Sequence, residues 1–374
     1  MMVTVRSFAK INLGLAIGPA RRDGFHELLT VYQTIALHDL IRVSVSRGTG
    51  IEIRCTDPRV PKDESNTCYR IAERAMREMN AKGRIVIDIE KRLPVQGGMG
   101  GASANAAAAL LAFERAMKKT LAAEERLRIA AEVGSDVPLF LIGGTVLGVG
   151  RGEQVYPLAD FPATACVVVT PEVGVSTPKA FAEWDRRTAE GSRGLKPAFS
   201  RDTDTALKRR SSTVDGRFVQ NAELRSAWTG KSARPHRGST QSLEEKLTVA
   251  RASDRMVELG LKFSGWLSES YSGAPFGERG RAENPLLALV RAGIKNDFEE
   301  VVFPEYPELS EVKKALERAG AKYASLSGSG STLYGLFASR EAAGAAIKLR
   351  RQGWAAQATT TVTRSQYWRR VFDC

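Results

Sequence analysis

A glycine-rich run between a predicted strand and an alanine-rich segment most constrains how this chain folds. Four glycines and Met99 fill residues 97–101, and residues 84–90 before them alternate as a strand does. Residues 102–117 are mostly alanine and leucine up to Phe113, which predicts a helix that is apolar on nearly every side and therefore buried. Bare main-chain amides at the start of such a helix suit a phosphate group, because they are unsatisfied donors at a positive dipole end. The alternative is a plain turn that caps a buried helix.

The run differs from the two commonest nucleotide-binding loops. The nearest Gly-Lys-Ser, at residues 230–232, follows Arg225 where a Walker A loop requires its first glycine. No frame of the run fits the Gly-x-Gly-x-x-Gly pattern of a Rossmann fold. Inside the predicted helix, Ser103 and Asn105 are placed to add side-chain donors or to hold a magnesium-bound water.

Three shorter segments carry polar groups that suit an anionic or hydroxyl-bearing ligand. Lys10 and Asn12 lie two residues apart on a predicted strand and share one face, although most strand lysines are simply solvated. Asp136 directly precedes an apolar run, so it either caps a helix or acts as a carboxylate that orients or deprotonates a hydroxyl. Residues 326–331, Leu-Ser-Gly-Ser-Gly-Ser, form either a tight turn between strands or a second backbone wall against phosphates.

The order of the strand and helix patterns predicts an α+β fold in two domains, because strands and helices mix without a regular βαβα alternation. The periodicity fails from about residue 188 to 248, where Arg, Ser, Thr and Gly are frequent. We expect an inserted, largely disordered loop there, either a tolerated expansion or a flexible basic arm. Helices are predicted to resume at residues 256–266 and 285–292.

Composition excludes several classes of protein. The 374 residues suffice for two or three domains, and no stretch approaches the roughly 20 apolar residues of a membrane-spanning helix. The four cysteines are scattered, which indicates reduced thiols in a cytoplasmic protein. Three histidines are too few for a multi-histidine metal site, and the first residues lack the apolar block of a secretory signal. Of the net charge of +13, residues 186–255 carry +8. Because most of the excess positive charge lies in this one segment, the composition does not indicate that the chain as a whole binds nucleic acid.

Taken together, these segments resemble the GHMP kinase superfamily, whose motifs occur in the family's order over about residues 3–185 and 280–365. The residues that carry the resemblance are Ala9-Lys10-Ile11-Asn12-Leu13, Arg22-Asp23-Gly24-Phe25-His26-Glu27-Leu28, the glycine run, Gly134-Ser135-Asp136-Val137-Pro138, Ser176-Thr177-Pro178, Asn296-Asp297-Phe298-Glu299 and Ser327-Gly328-Ser329-Gly330-Ser331. The resemblance implies the two-domain GHMP kinase fold. A ribosomal S5 domain 2-like N-terminal domain would bind ATP over residues 1–160. A ferredoxin-like C-terminal domain would follow over residues 161–374 and contain the disordered insert at about 188–248.

The resemblance also implies the site residues of a kinase that uses ATP and Mg²⁺. Lys10 and Asp136 would be the catalytic pair, with Asp136 accepting or orienting the proton of the attacking hydroxyl while Lys10 keeps it ionised. The ATP phosphate loop would consist of Pro94, Val95, Gln96, Gly97, Gly98, Met99, Gly100, Gly101, Ala102, Ser103, Ala104 and Asn105. The substrate would meet Asn12, Phe25, His26, Thr177 and Phe181, with His26 at the edge of a cytosine ring and the phenylalanines on its faces. No residue is assigned as a direct metal ligand.

Within the superfamily, the chain resembles the kinases of the non-mevalonate isoprenoid pathway, which phosphorylate the 2-hydroxyl of a sugar alcohol linked to cytidine diphosphate. The Asp23-Gly24-Phe25-His26 segment favours this small-molecule substrate. The alternatives are a GHMP kinase for another small alcohol such as homoserine or a mevalonate derivative, a nucleic-acid-binding protein that uses the basic insert, and a catalytically silent relative. Neither a nucleic acid nor a membrane is the expected partner, and the oligomeric state stays open.

At four positions the chain departs from the family's usual residues. Ala104 replaces the second of two adjacent serines, Ala102 a common glycine, Met99 a leucine and Phe25 a tyrosine. The first change removes one hydroxyl near the phosphates, and the last keeps the stacking face while losing the hydroxyl.

Overall fold

The computed structural model describes residues 2–95, 97–193, 294–338 and 341–373, which form two β-sheets and the helices packed on them. One sheet contains β1 (Met2–Ala20), β2 (His26–Ser46), β3 (Ile51–Cys55), β4 (Arg84–Glu90), β5 (Thr145–Val149) and β6 (Gln154–Pro157). Its order is β3-β4-β2-β5-β6 with β1 paired to β2, and only the β3–β4 pairing within these described strands is parallel. The other sheet contains β7 (Ala165–Val169), β8 (Tyr323–Leu326), β9 (Leu333–Phe337) and β10 (Ala356–Thr360). These four strands pair antiparallel in the order β10-β7-β9-β8.

Each sheet shares a hydrophobic core with its own helices. The first sheet packs with α1 (Thr67–Glu78), α2 (Gly101–Met117), α3 (Ala123–Val133) and the short 3₁₀ helix Pro138–Leu141. The second packs with α4 (Thr177–Arg193), α5 (Phe298–Glu305), α6 (Pro307–Arg318) and α7 (Ala342–Arg351), and α8 (Arg364–Val371) returns to the first. Among the helices in the described ranges, none combines the length and the apolar character needed to cross a membrane.

Helix α2 is buried along most of its length, as the alanine-rich sequence predicts. Every residue from Ala104 to Glu114 is buried, and the helix packs against β1, β2 and α1. Small alanine side chains allow these elements to approach from several sides, and a helix enclosed in this way must be apolar all round. The packing fixes the direction of α2 and therefore the position of its N-terminus at the glycine run.

The β1–β2 hairpin joins the two sheets. The register of β1 against β2 shifts between Phe8 and Ala9, next to Lys10. Farther along β1, Leu15 exchanges backbone hydrogen bonds with residues 295 and 297, and its side chain belongs to the core of the second sheet. The hairpin therefore holds Lys10 where the two cores meet.

The two-domain α+β GHMP kinase fold expected from the sequence is confirmed in its two sheets, but two details of the sequence analysis are corrected. Helix α4 continues to Arg193, past the expected start of the insert at about residue 188. Arg187 pairs with Glu183 at 2.6 Å, and Thr188 Oγ1 donates to the Trp184 carbonyl oxygen at 2.9 Å. Residues 194–248, the predicted helices at 256–266 and 285–292, and Gln96 lie outside the described residues.

Helix α8 is the second correction, since the sequence analysis predicted no helix over residues 364–371. The mean hydropathy of this helix is low, so few apolar residues mark its helical period in the sequence. Its start nevertheless has a local signal, a capping box in which the Thr363 side chain accepts from the Gln366 N–H and the Gln366 side chain bonds back.

Candidate active site

The glycine run and the turn at residues 327–332 form one wall. Gly98 has φ +75°, and a Cβ at this position would lie 2.2 Å from the Ser327 carbonyl oxygen. The Ser327 hydroxyl donates to the Gly98 carbonyl at 3.0 Å, and the Thr332 N–H donates to the Gly97 carbonyl at 3.2 Å. Only glycine allows the two backbones to approach so closely. The structure thus joins two segments that the sequence analysis considered separately.

The N-terminus of α2 opens into a cavity. Gly100 is the N-cap with φ +68°, and its position lacks a side-chain cap, so the amides of the first helical turn point outward without a capping group. A cavity of about 400 Å³ is lined by the glycine run, the first turn of α2 and residues 59–61 and 65–68. Ser103 and Asn105 both line the cavity, and the largely buried Asn105 accepts a hydrogen bond from Ser7 Oγ at 2.7 Å. The arrangement suits an anion at the helix start with a larger group beside it.

A half-buried lysine that the sequence analysis missed lies beside this helix start. The side chain of Lys91 is 8% exposed and pairs with the fully buried Asp39, whose carboxylate also accepts the N–H groups of Arg92 and Leu93. A Cβ on Gly101 would lie 3.5 Å from Lys91 Nζ, so the ammonium group adjoins the first residue of α2. The sequence feature that could have identified Lys91 is its position directly after β4, where the chain enters the glycine run.

Lys10 and Asp136 meet next to the glycine run. Lys10 Nζ lies 3.4 Å from Asp136 Oδ2, with exposed side-chain fractions of 4% and 28%. The Lys10 N–H donates to the Met99 carbonyl at 3.0 Å, and a Cβ on Gly100 would lie 3.2 Å from Lys10 Cγ. Asp136 precedes the 3₁₀ helix, whose N-cap is Val137 without a side-chain bond, so the capping alternative does not describe this aspartate. A buried ammonium and a partly exposed carboxylate in contact can stabilise charge and accept a proton.

Protein groups take three of the four hydrogen-bonding positions of the Asn12 amide. Its Oδ1 accepts from Lys10 Nζ and from the Gly328 N–H, both at 2.8 Å, and its Nδ2 donates to Thr30 Oγ1 at 2.8 Å. Asn296 holds the same turn by donating to the carbonyl oxygens of residues 326 and 328. The amide of Asn12 therefore orients Lys10 and ties it to the second sheet.

Tyr32 on β2 is a further contact that the sequence analysis missed. Its hydroxyl donates to Asp136 Oδ1 at 3.0 Å, and Lys10 Nζ lies 5.6 Å from the centroid of its ring. Burial, followed by the negative charge of Asp136, raises the pKa of Tyr32 well above its ordinary value. No local pattern distinguishes this tyrosine from other inward-facing strand residues.

The aromatic residues expected to bind substrate lie at the turn between β1 and β2 and on α4. His26 Nε2 lies 2.8 Å from Asp185 Oδ1, and the His26 ring stacks on Phe181 with centroids 4.7 Å apart. Phe25 is 49% exposed, and the guanidinium of Arg151 lies 4.9 Å from its ring centroid. Thr177, at the start of α4, shares a hydrogen bond of 2.7 Å with Ser329 Oγ.

Comparison with known proteins decides the family. Residues 66–144 match the family model of the GHMP kinases N terminal domain, and residues 282–353 match that of GHMP kinases C terminal. The 4-diphosphocytidyl-2-C-methyl-D-erythritol kinase of Solibacter usitatus (strain Ellin6076) is 34% identical over 372 residues, which cover 99% of this chain and 92% of that protein. The chain belongs to the GHMP kinase family. Membership in a kinase family implies that ATP is used.

Solved structures share the fold of this GHMP kinase. A crystal structure of 4-(cytidine 5'-diphospho)-2C-methyl-D-erythritol kinase superposes with a TM-score of 0.59 at 25% identity, over 96% of this chain and 98% of that one. Homoserine kinase from Cytophaga hutchinsonii has the same TM-score at 18% identity, over 97% of this chain and 95% of that one. The second likeness shows the fold alone.

Proposed function

We propose that this GHMP kinase transfers the γ-phosphoryl group of ATP to the 2-hydroxyl of 4-diphosphocytidyl-2-C-methyl-D-erythritol, in the non-mevalonate route to isoprenoid precursors. The observation that carries the proposal is the contact of Lys10 with Asp136 at the start of α2, where main-chain amides open into a cavity. The substrate follows the names of the two relatives that are 34% and 25% identical over nearly the whole chain. Homoserine kinase, at 18% identity, gives no support to the homoserine alternative.

ATP would lie in the cavity with its phosphates on the N-terminal amides of α2. Helix N-termini favour anions, and Lys91 adds a positive charge at the same place. Within the proposed loop of residues 94–105, Gly97 and Gly98 would shape the phosphate wall. Asn105 would brace the helix start through its bond to Ser7.

In the transfer step, the substrate hydroxyl attacks the γ-phosphorus while its proton passes to Asp136. Lys10 stabilises the negative charge that develops on the transferred group. Because the protein forms no covalent intermediate in this scheme, catalysis consists of positioning and electrostatic stabilisation.

Mg²⁺ would accompany the ATP phosphates. Within the described ranges, no cluster of three or more His, Cys, Asp or Glu side chains could bind a metal by itself. The site still fits Mg²⁺, because this ion keeps several waters and is commonly held by one or two protein oxygens together with substrate phosphates. Ser103 Oγ would be such an oxygen, since it lies at the start of α2 and faces Gly134, where a Cβ would be 3.8 Å away. The bound ion would neutralise charge on the phosphates.

The cytidine end of the substrate would bind at the β1–β2 turn and α4. Phe25 supplies an exposed aromatic face, and His26 supplies a hydrogen-bonding edge that the stacked Phe181 ring supports. Thr177 and Asn12 would contact the diphosphate and the alcohol, with Asn12 acting beside the Lys10 ammonium group that it already holds.

A panel of alcohols with labelled ATP and purified protein tests the proposed function. We expect label transfer to the cytidine diphosphate compound, and none to homoserine or mevalonate. Transfer to homoserine with none to the cytidine compound would overturn the proposed substrate while leaving the kinase activity intact.

Replacing Asp185 by alanine is expected to weaken the selectivity of the enzyme for cytosine over uracil in its substrate. A carboxylate only accepts hydrogen bonds, so its contact places the proton of a neutral imidazole on Nε2 and leaves Nδ1 as an acceptor. Such an acceptor suits the amino group of cytosine and disfavours the carbonyl of uracil. The kcat/KM preference for the cytidine compound over its uridine analogue should therefore fall by about tenfold in Asp185→Ala, the worth of roughly one hydrogen bond.

Glu183 provides a matched control on the same helix. It pairs with Arg186 and Arg187 instead of His26, so Glu183→Ala should keep the preference for cytidine. If the ratio of kcat/KM values for the cytidine and uridine compounds is unchanged in Asp185→Ala, Asp185 has no part in selecting the base.

A further inference from the structure

Tyr32 contacts both members of the catalytic pair. It is 2% exposed, its hydroxyl donates to Asp136 Oδ1 at 3.0 Å, and Lys10 Nζ lies 5.6 Å from its ring centroid. Tyr32 and Asp136 are 104 positions apart in the chain, so the contact depends on the packing of β2 against the segment that precedes the 3₁₀ helix. The ring therefore connects the carboxylate and the ammonium group.

The two oxygens of Asp136 have different surroundings. Oδ1 accepts the Tyr32 hydroxyl, whereas Oδ2 faces Lys10 at 3.4 Å. Lys10 Nζ makes its shorter contact with Asn12 Oδ1, at 2.8 Å. Because a carboxylate oxygen has two acceptor positions, Oδ2 retains capacity for the hydroxyl of a substrate beside the lysine.

The Tyr32 hydroxyl acts as a donor and does not relay the proton. Burial, and then the charge of Asp136, raises the pKa of this phenol well above its ordinary value. A neutral phenol can donate only one hydrogen bond, and that bond goes to Oδ1.

Two glycines leave the space in which the Tyr32 ring lies. A Cβ on Gly148 in β5 would be 2.4 Å from Tyr32 Cε2, and a Cβ on Gly152 would be 2.3 Å from the Tyr32 hydroxyl oxygen. Side chains at either position would displace the ring, so the β5–β6 hairpin determines where the hydroxyl lies.

We propose that Tyr32 is a positioning residue that holds Asp136 Oδ1, so that Oδ2 faces the attacking hydroxyl and takes its proton. The inference rests on the proposed function, because it requires phosphoryl transfer to an alcohol. The O–H bond of the alcohol breaks as its oxygen bonds to the γ-phosphorus. The bond from the γ-phosphorus to the bridging oxygen breaks, its electron pair leaves with ADP, and the proton stays on Oδ2.

Tyr32→Phe tests the proposal because it removes the hydroxyl and keeps the ring. We expect kcat to fall about tenfold, the worth of one hydrogen bond to a charged group, with the KM values of both substrates unchanged. Tyr367→Phe is the matched control: its buried hydroxyl donates to the Phe140 carbonyl at 2.6 Å and not to Asp136, so kcat should be kept. Thermal unfolding of both variants checks that they remain folded. An unchanged kcat in Tyr32→Phe, or a rise in KM alone, would overturn the proposal.

A double-mutant cycle separates positioning from a direct role. If Tyr32 acts only through Asp136, adding Tyr32→Phe to Asp136→Asn should change kcat by less than about twofold. A further tenfold loss in the double variant would show that Tyr32 acts independently of the carboxylate. The cycle is measured with whichever alcohol the wild-type protein phosphorylates, so an error in the proposed substrate appears in the panel and leaves this test valid.

Discussion

Replacing Asp136 by asparagine is expected to lower kcat by on the order of 10²-fold or more, with ATP binding largely kept. The carboxylate accepts the Tyr32 hydroxyl at one oxygen and faces Lys10 at the other, so it is placed to accept a proton beside a cation. An amide keeps the shape of the side chain and loses the basicity. The expected loss is therefore in the chemical step and not in nucleotide affinity.

Steady-state turnover and calorimetric titration with a nonhydrolysable ATP analogue measure the two quantities separately. Asp160→Asn is the control, because its carboxylate accepts the Arg364 N–H at 2.9 Å and an amide oxygen can do the same. Near-normal turnover in Asp136→Asn would show that this aspartate has no part in proton transfer.

Replacing Gly98 by alanine is expected to reduce ATP affinity and kcat/KM by on the order of 10²-fold, since misplacing a binding group by about 1 Å has effects of this size. The new Cβ would lie 2.2 Å from the Ser327 carbonyl oxygen and 2.8 Å from that of Gly330, both of them backbone atoms. At φ +75° the substitution is strained as well. The glycine run must shift, and its shift moves the wall that faces the nucleotide.

Gly344→Ala is the matched control for this substitution. Gly344 lies inside α7, and its added Cβ would meet nothing within 4 Å. Alanine there should leave ATP affinity unchanged and stabilise the helix by up to about 1 kcal/mol. Wild-type ATP affinity in Gly98→Ala would mean that the nucleotide does not depend on this loop.

Local patterns predicted much of the fold because they depend on neighbouring residues. The two-residue period of residues 84–90 and the alanine-rich composition of residues 102–117 sufficed to place β4 and the buried α2. Helix α8 was missed because its polar side chains obscure the helical period, although its capping box was present in the sequence.

The candidate site could be predicted only in part. Glycine content predicted a phosphate loop, which stays a prediction. Strand spacing placed Lys10 and Asn12 on one face, where a hydrogen bond of 2.8 Å joins them. The sequence analysis missed Lys91 because lysine is usually exposed and no neighbouring residue indicates that this one is paired. Its partner, Asp39, is 52 positions away in the chain. Roles for the remaining residues came from family resemblance, and they stay predictions.

The sequence by itself determined where main-chain amides would be bare and which helix would be buried, because glycine content and apolar composition act over a few residues. Only the tertiary structure decided which side chains meet there. Asn12 bonds to Gly328 across 316 positions, between the two sheets. Tyr32 bonds to Asp136 across 104 positions, through the packing of β2 against the segment that precedes the 3₁₀ helix. Such contacts depend on the shape of the whole core, so no short segment encodes them.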